Sequence, residues 1–258
     1  MSLLKNLQQQ TPLFDAVEMH KNKQAISFHV PGHKNGVVYH DKGKDLYREL
    51  LKIDATELDG LDDLHGAEGP ILEAEQLLSD LYGTQKSYLL INGSTVGNLA
   101  MIMGLCKEGD VVLVQRNCHK SVMNAIKLAK LKPVFLQPAI DLERKTASGL
   151  LPSAVMEGLK LFPEAKALIL TYPSYFGAAG NAGQVISEAK KAGLYVLVDE
   201  AHGAHFKAGF IFPPSSLELG ADFVVQSAHK TLPAMTMGSF LHVNKEVKDY
   251  SRVEHYLR

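Results

Sequence analysis

Asp222-Phe223-Val224-Val225-Gln226-Ser227-Ala228-His229-Lys230-Thr231 opens on an apolar run with no in–out alternation and then breaks into small and polar residues. Such a run reads as a short strand covered on both faces, and it puts Lys230 just past the strand's carboxyl end. Working outward, the same pattern predicts strands at 87–91, 111–115, 134–137, 167–171, 195–199, 223–226 and 239–243. Helical patterns fill the gaps at 96–105, 121–130, 153–162 and 183–192. Strand and helix alternating in this way predict an α/β fold, a mostly parallel seven-stranded sheet flanked by helices with right-handed crossovers. Ligands of such sheets sit beyond the carboxyl ends of the strands. Gly93, Asp199 and Lys230 all fall at or just past such ends.

The 258 residues are 46% hydrophobic and 21% charged, which is enough for a buried core and argues against disorder. With a net charge of −1 and no long basic run, nothing steers the chain to nucleic acid or to an anionic membrane. Two cysteines, Cys106 and Cys118, are too few for a disulfide framework. Glutamines follow Met1-Ser2-Leu3-Leu4-Lys5-Asn6 where a signal peptide needs an apolar stretch, and no segment approaches the ~20 apolar residues of a membrane span, so a cytoplasmic location is expected. Residues 1–50 are polar and punctuated, with Val30-Pro31-Gly32-His33-Lys34-Asn35-Gly36 as their densest turn signal, and read as an N-terminal arm ahead of a large domain at 51–258. Leu72, Leu77, Leu78 and Leu81 then give a helix with an apolar stripe, ended by Gly83.

Four places on this frame carry chemistry. Asn92-Gly93-Ser94-Thr95-Val96-Gly97-Asn98 follows a strand and opens a helix, where backbone amides and two hydroxyls make an anion site; Ser94 or Thr95 acting as a plain helix cap is the simpler alternative. Asp199 ends an apolar strand, so its carboxylate needs a cation or a donor there, or else it caps the next turn. His119, in Asn117-Cys118-His119-Lys120-Ser121, is a loop histidine or a group that lies flat on a ring. Lys230 follows His229, which reaches a phosphate or substrate, or merely packs. Tyr172, Ser174 and Tyr175 leave another strand at the same edge as wall residues or as a plain connector. A phosphate cradle, a ring-stacking group, an acidic partner for a pyridinium and a Schiff-base lysine together form the set that pyridoxal phosphate requires. No metal is expected: His202 and His205 stand three apart near Asp199, and His29 and His33 are distant, without a compact ligand set. A metal hydrolase using Asp199, His202 and His205 is the minor alternative.

In chain order, His29-Val30-Pro31-Gly32-His33-Lys34, Asn92-Gly93-Ser94-Thr95, Asn117-Cys118-His119-Lys120-Ser121, Asp199-Glu200-Ala201-His202-Gly203 and Ser227-Ala228-His229-Lys230-Thr231 resemble the Orn/Lys/Arg decarboxylase family, over a stretch from about Pro12 to the end. The resemblance implies the large domain of a pyridoxal-phosphate enzyme of the aspartate-aminotransferase fold. It implies decarboxylation of arginine, lysine or ornithine to a polyamine precursor, in a homodimer or higher homo-oligomer acting on a small-molecule amino acid. Lys230 matches the Schiff-base lysine, Asp199 the pyridinium partner and His119 the ring-stacking histidine. Ser94, Thr95, His202, Ser227 and His229 match phosphate or cofactor-pocket positions, and Ala201 the small residue under the ring. His229 or a tyrosine is the expected proton donor.

Family members continue well beyond the lysine, whereas this chain stops 28 residues after Lys230. The resemblance therefore implies an incomplete large domain and an absent C-terminal small domain. A truncated, inactive remnant or partner subunit is one alternative; another reaction on the same cofactor, aldol cleavage or amino transfer, is a second.

Overall fold

The computed structural model describes residues 7–258, so the Met1–Asn6 stretch read above for a leader lies outside the described residues. The chain divides into a unit ending at Leu78 and a second unit, Ser79–Arg258. None of the described helices is long and apolar enough to cross a membrane.

The first unit holds two helices that the apolar pattern did not signal, α1 (Pro12–Asn22) and α2 (Asp41–Leu51). Their ends define them. Pro12 opens α1 with its φ already helical and no N–H to leave unpaired, and the His40 ring accepts the Lys42 N–H at the start of α2. α1 buries no residue and α2 buries only Leu51, so neither has the apolar stripe that periodicity detects. A third helix, α3 (Pro70–Tyr82), is prepared by Asp62, whose carboxylate accepts the N–H groups of Asp63, Glu68, Gly69 and Ile71 at 2.8–3.1 Å. Desolvation would raise the Asp62 carboxyl, but these four donors outweigh it and hold it down at about 2. Gly83, at φ +71°, ends the helix in the left-handed region.

The second unit is built on the expected seven-stranded sheet. Its strands are β1 (Lys86–Leu90), β2 (Val111–Gln115), β3 (Lys132–Leu136), β6 (Ala167–Thr171), β7 (Tyr195–Asp199), β8 (Phe223–Gln226) and β9 (Ser239–Val243), in the order β1-β9-β8-β7-β6-β2-β3. β9 runs antiparallel to both its neighbours, and every other neighbouring pair is parallel. A separate two-residue hairpin, β4 (Ile140–Asp141) and β5 (Thr146–Ala147), was not expected. The connecting helices are α4 (Gly93–Leu105), α5 (Lys120–Leu128), α6 (Pro152–Leu161), α7 (Ala182–Lys191), the single turn α8 (Ala228–Thr231) and a terminal α9 (Ser251–Leu257).

Side chains alternate across the sheet, so both faces are apolar and both need cover. Val112, Val114, Ile169, Leu197, Val225 and Leu241 pack with Met101 and Ile102 of α4, Ile126 of α5 and Val253 of α9. On the other face a Cβ at Gly158 of α6 would come within 3.0 Å of Leu136 and 3.4 Å of Leu113, and Val185 and Ile186 of α7 are fully buried. Each such aliphatic side chain contributes roughly 1.5–3 kcal/mol by leaving water. Gly97 brings α4 closest: a Cβ there would lie 2.8–3.0 Å from Leu90 and Val225. That contact fixes the start of α4 at the sheet edge.

Candidate functional site

The parallel strands release their carboxyl ends on one edge, and there a cavity of about 480 Å³ opens, lined by the segments that follow β1, β2, β6, β7 and β8 and by Met237 ahead of β9. Ser94, Thr95, His119, Asp199, Ala201, His202, Ser227, His229 and Lys230 all line it. They come from four separate stretches of sequence that only the sheet brings together.

α4 starts at Gly93, three residues earlier than the apolar pattern suggests, with Asn92 before it making no side-chain cap. Gly93 has φ +66° and donates its N–H to the Met237 carbonyl at 3.1 Å. Ser94 is therefore inside the first turn and not its cap. Its hydroxyl bonds that of Ser227 and lies 3.3 Å from Ser239, tying the loops after β1 and β8 to the start of β9. The first turn of α4 thus faces the cavity with the positive end of the helix.

Asp199 is buried at the end of β7; Asn98 Nδ2 donates to its Oδ2 at 3.0 Å and the Ala201 N–H to its Oδ1 at 3.2 Å. His119 precedes α5, and its Nδ1 accepts from the Ser121 N–H at 3.2 Å and faces the Ser121 hydroxyl at 2.8 Å. On α8, the Gly238 carbonyl accepts the His229 main-chain N–H at 3.1 Å and its Nδ1–H at 2.8 Å, which leaves Nε2 as the ring's free atom. Lys230 Nζ lies 3.3 Å from His202 Nε2. Burial, then the Lys230 charge, pushes the His202 ring below its ordinary range, so the neutral ring accepts from the amine.

Lys230 is exposed, because α8 leaves the core after the buried Ala228. Three other candidates, Tyr172, Ser174 and His205, lie off the lining. Tyr172 and Ser174 were candidates for the cavity wall. Tyr172 instead donates its hydroxyl to the Pro214 carbonyl, and Ser174 accepts the Ala178 N–H, so only Thr171 and Tyr175 of that loop line the cavity. His205 lies outside the lining, its ring against Phe206 and Phe212, and among the described residues no group of three His, Cys, Asp or Glu is arranged to hold a metal. In the first unit, His33 pairs with Asp54 at 3.2 Å and Lys34 donates to the His29 carbonyl.

Two groups escaped the reading of the sequence. Asn98, fully buried, stands four residues after Ser94 on the same face of α4; that spacing is the signal that could have found it. Glu200 points away from its neighbour Asp199 into the core, where Ser215, the Ser216 N–H and hydroxyl, and Gln226 all donate to it. Burial pushes its carboxyl up to about 7, against those donors. Gln226 in turn accepts from His242 Nε2 at 3.1 Å, and burial holds that ring down at about 3.

Three buried side-chain atoms of lining residues have no partner: Asn98 Oδ1, Thr171 Oγ1 and His202 Nδ1. Each orphaned group costs about 1–3 kcal/mol, and a polar ligand in the cavity would offset it. The donors, the acid and the amine match a phosphorylated aromatic aldehyde in chemistry.

The family described as Orn/Lys/Arg decarboxylase, major domain, matches residues 11–258. The uncharacterized protein YaaO of Bacillus subtilis is 52% identical over 248 residues, covering 96% of this chain and 52% of that protein. The arginine decarboxylase of Bacillus cereus is 36% identical over 253 residues, covering 96% of this chain and 54% of that protein. The chain thus spans about half the length of these curated relatives. In fold it is similar to the Francisella novicida lysine decarboxylase LdcF, with a TM-score of 0.85 and 21% identity over 96% of this chain and 37% of that one. With its seven-stranded frame and a family match over nearly its whole length, the chain belongs to the Orn/Lys/Arg decarboxylase family.

Proposed function

We infer that this chain binds pyridoxal 5'-phosphate at the sheet edge and serves the decarboxylation of a basic amino acid: arginine, lysine or ornithine. What supports the reading is the meeting of Lys230, Asp199, His119 and the start of α4 around one cavity, in a family named for those three substrates. When bound, pyridoxal phosphate supplies an electron sink for the charge left as a carboxylate departs as CO2. Ser94, Thr95 and Ser227, with the first-turn amides of α4, would hold the phosphate. Asp199 would keep a proton on the ring nitrogen, and His119 and Ala201 would hold the ring between them. Lys230 would supply the amine for covalent attachment, with His202 beside it as the acceptor of an amine proton. His229, anchored through its Nδ1–H, would deliver a proton to the α-carbon from Nε2 once that nitrogen has itself taken one up. In this reading residues 51–258 belong to the cofactor-binding large domain, residues 1–50 form its arm, and the protein acts in the cytoplasm as a homodimer or higher homo-oligomer.

A second reading, a cofactor-holding partner subunit without turnover, is favoured by one observation: Lys230 is exposed. The test is CO2 release from arginine, lysine and ornithine with pyridoxal phosphate added, for the wild type and for Lys230→Ala. Release from one of the three, lost in the variant, is the expected result. No release from a protein shown to carry the cofactor on Lys230 would overturn the decarboxylase reading in favour of the partner subunit.

A further inference from the structure

We propose that Asn98 is a positioning residue whose amide couples the Asp199 carboxylate to the His119 imidazole through the hydroxyl of Ser121. The inference rests on the reading of the cavity as a pyridoxal-phosphate site, in which those two groups would face one ring. Both hydrogens of the Asn98 amide are spoken for: Nδ2 donates to Asp199 Oδ2 at 3.0 Å and to Ser121 Oγ at 2.9 Å. The amide orientation follows from its partners, because a carboxylate only accepts and would repel the carbonyl end. Ser121 Oγ, having accepted from Asn98, has its own hydrogen left for His119 Nδ1 at 2.8 Å, where the Ser121 main-chain N–H also points. Two donors at Nδ1 keep the imidazole proton on Nε2.

The chain of bonds therefore sets two things at once: the direction of the carboxylate and the tautomer and plane of the imidazole. Asn98 and Ser121 are each at most 2% exposed, so water does not compete for either bond. Gly97 makes the reach possible, since its missing Cβ lets α4 approach Leu90 and Val225 closely. Hydrogen bonds to a charged acceptor in such surroundings are the stronger kind.

The test has two arms on the full chain, each checked for unchanged folding by circular dichroism. In the first, pyridoxal phosphate affinity is measured for the wild type, Asn98→Ala, Asp199→Ala and the double variant. Asn98→Ala should weaken binding about tenfold in the wild type and have little further effect once Asp199 is gone, because it acts through that residue. In the second, nitrogen-15 spectra of the His119 ring are recorded without cofactor. The wild type should show the proton on Nε2, and Asn98→Ala should show a population with it on Nδ1. Ser121→Ala, which keeps the Asn98–Asp199 bond, should change the tautomer while costing less affinity, and serves if Asn98→Ala does not fold. Equal losses with and without Asp199, or identical tautomers in all the proteins, would overturn the proposal. Failure of the wild type to bind pyridoxal phosphate would instead remove the functional reading, and the tautomer comparison would still decide the role of Asn98.

Discussion

The unit at Ser79–Arg258 and the one ending at Leu78 solve the same problem differently. In the former, polar groups are taken into the core and satisfied there: Glu200 by four donors, Gln226 between Glu200 and His242, and His242 between Gln226 and Ser87. In the latter, order comes from chain ends and surface charges: a carboxylate cap by Asp62, a ring cap by His40, and Glu49 bonded to Lys21 and Lys52. Its apolar residues Phe14, Ile26, Phe28 and Leu46 stay exposed. The sheet unit thus carries its own core, while the first unit depends on caps that solvent can compete with.

The largest effect should come from breaking the buried network. Glu200→Ala leaves the donors of Ser215, Ser216 and Gln226 unpaired in the core and should cost about 3 kcal/mol or more, read as a lower denaturation midpoint. A loss no greater than that of a surface carboxylate would erase the contrast between the units.

Next comes acid. The His242 ring is held down at about 3 from its ordinary 6.5, so its contribution is present above 6.5 and is lost as pH falls through 3. Glu200, raised from 4.5 to about 7, works the other way: its contribution is present below 4.5 and is lost as pH rises through 7. Between 4.5 and 6.5 the two oppose each other, and below 4.5 only His242 acts. From pH 4.5 to 3 the wild type should therefore lose about 2 kcal/mol more than His242→Gln does, in equilibrium unfolding at matched pH. Parallel acid curves for the two proteins would contradict this.

The smallest effect belongs to the first unit. Asp62→Ala removes the acceptor for the approach to α3 and should cost about 1 kcal/mol, seen as faster hydrogen exchange at Glu68, Gly69 and Ile71 while the sheet amides are unchanged. Faster exchange across the sheet as well would merge the two units into one cooperative block.

The same contrast governs what could be read before the fold was known. Strands such as Val111–Gln115 and Phe223–Gln226 are legible because burial on both faces writes an unbroken apolar run. α1 and α2 are not, because helices with almost no buried residue leave no periodic trace. At the cavity, residues recognisable by chemical type, Lys230, Asp199 and His119, stand out in the sequence. Asn98 does not: it reads as one polar residue in a helix, and its partners are 23 and 101 positions away. Glu200 shares a motif with Asp199, yet only their separate partners in the fold show that the two turn to opposite sides. The exposure of Lys230 was equally hidden, since strand-end placement says where a residue lies and not what covers it.

The proposed function makes Lys230, at the sheet edge, the attachment point for pyridoxal phosphate. The most direct measurement is an absorbance spectrum of the purified chain with added pyridoxal phosphate, followed by borohydride reduction and peptide mass mapping. The expected result is a band near the visible edge and a reduced adduct on Lys230, with both absent in Lys230→Ala and the fold of that variant intact. A band that survives in the variant, or an adduct on another lysine, would contradict it.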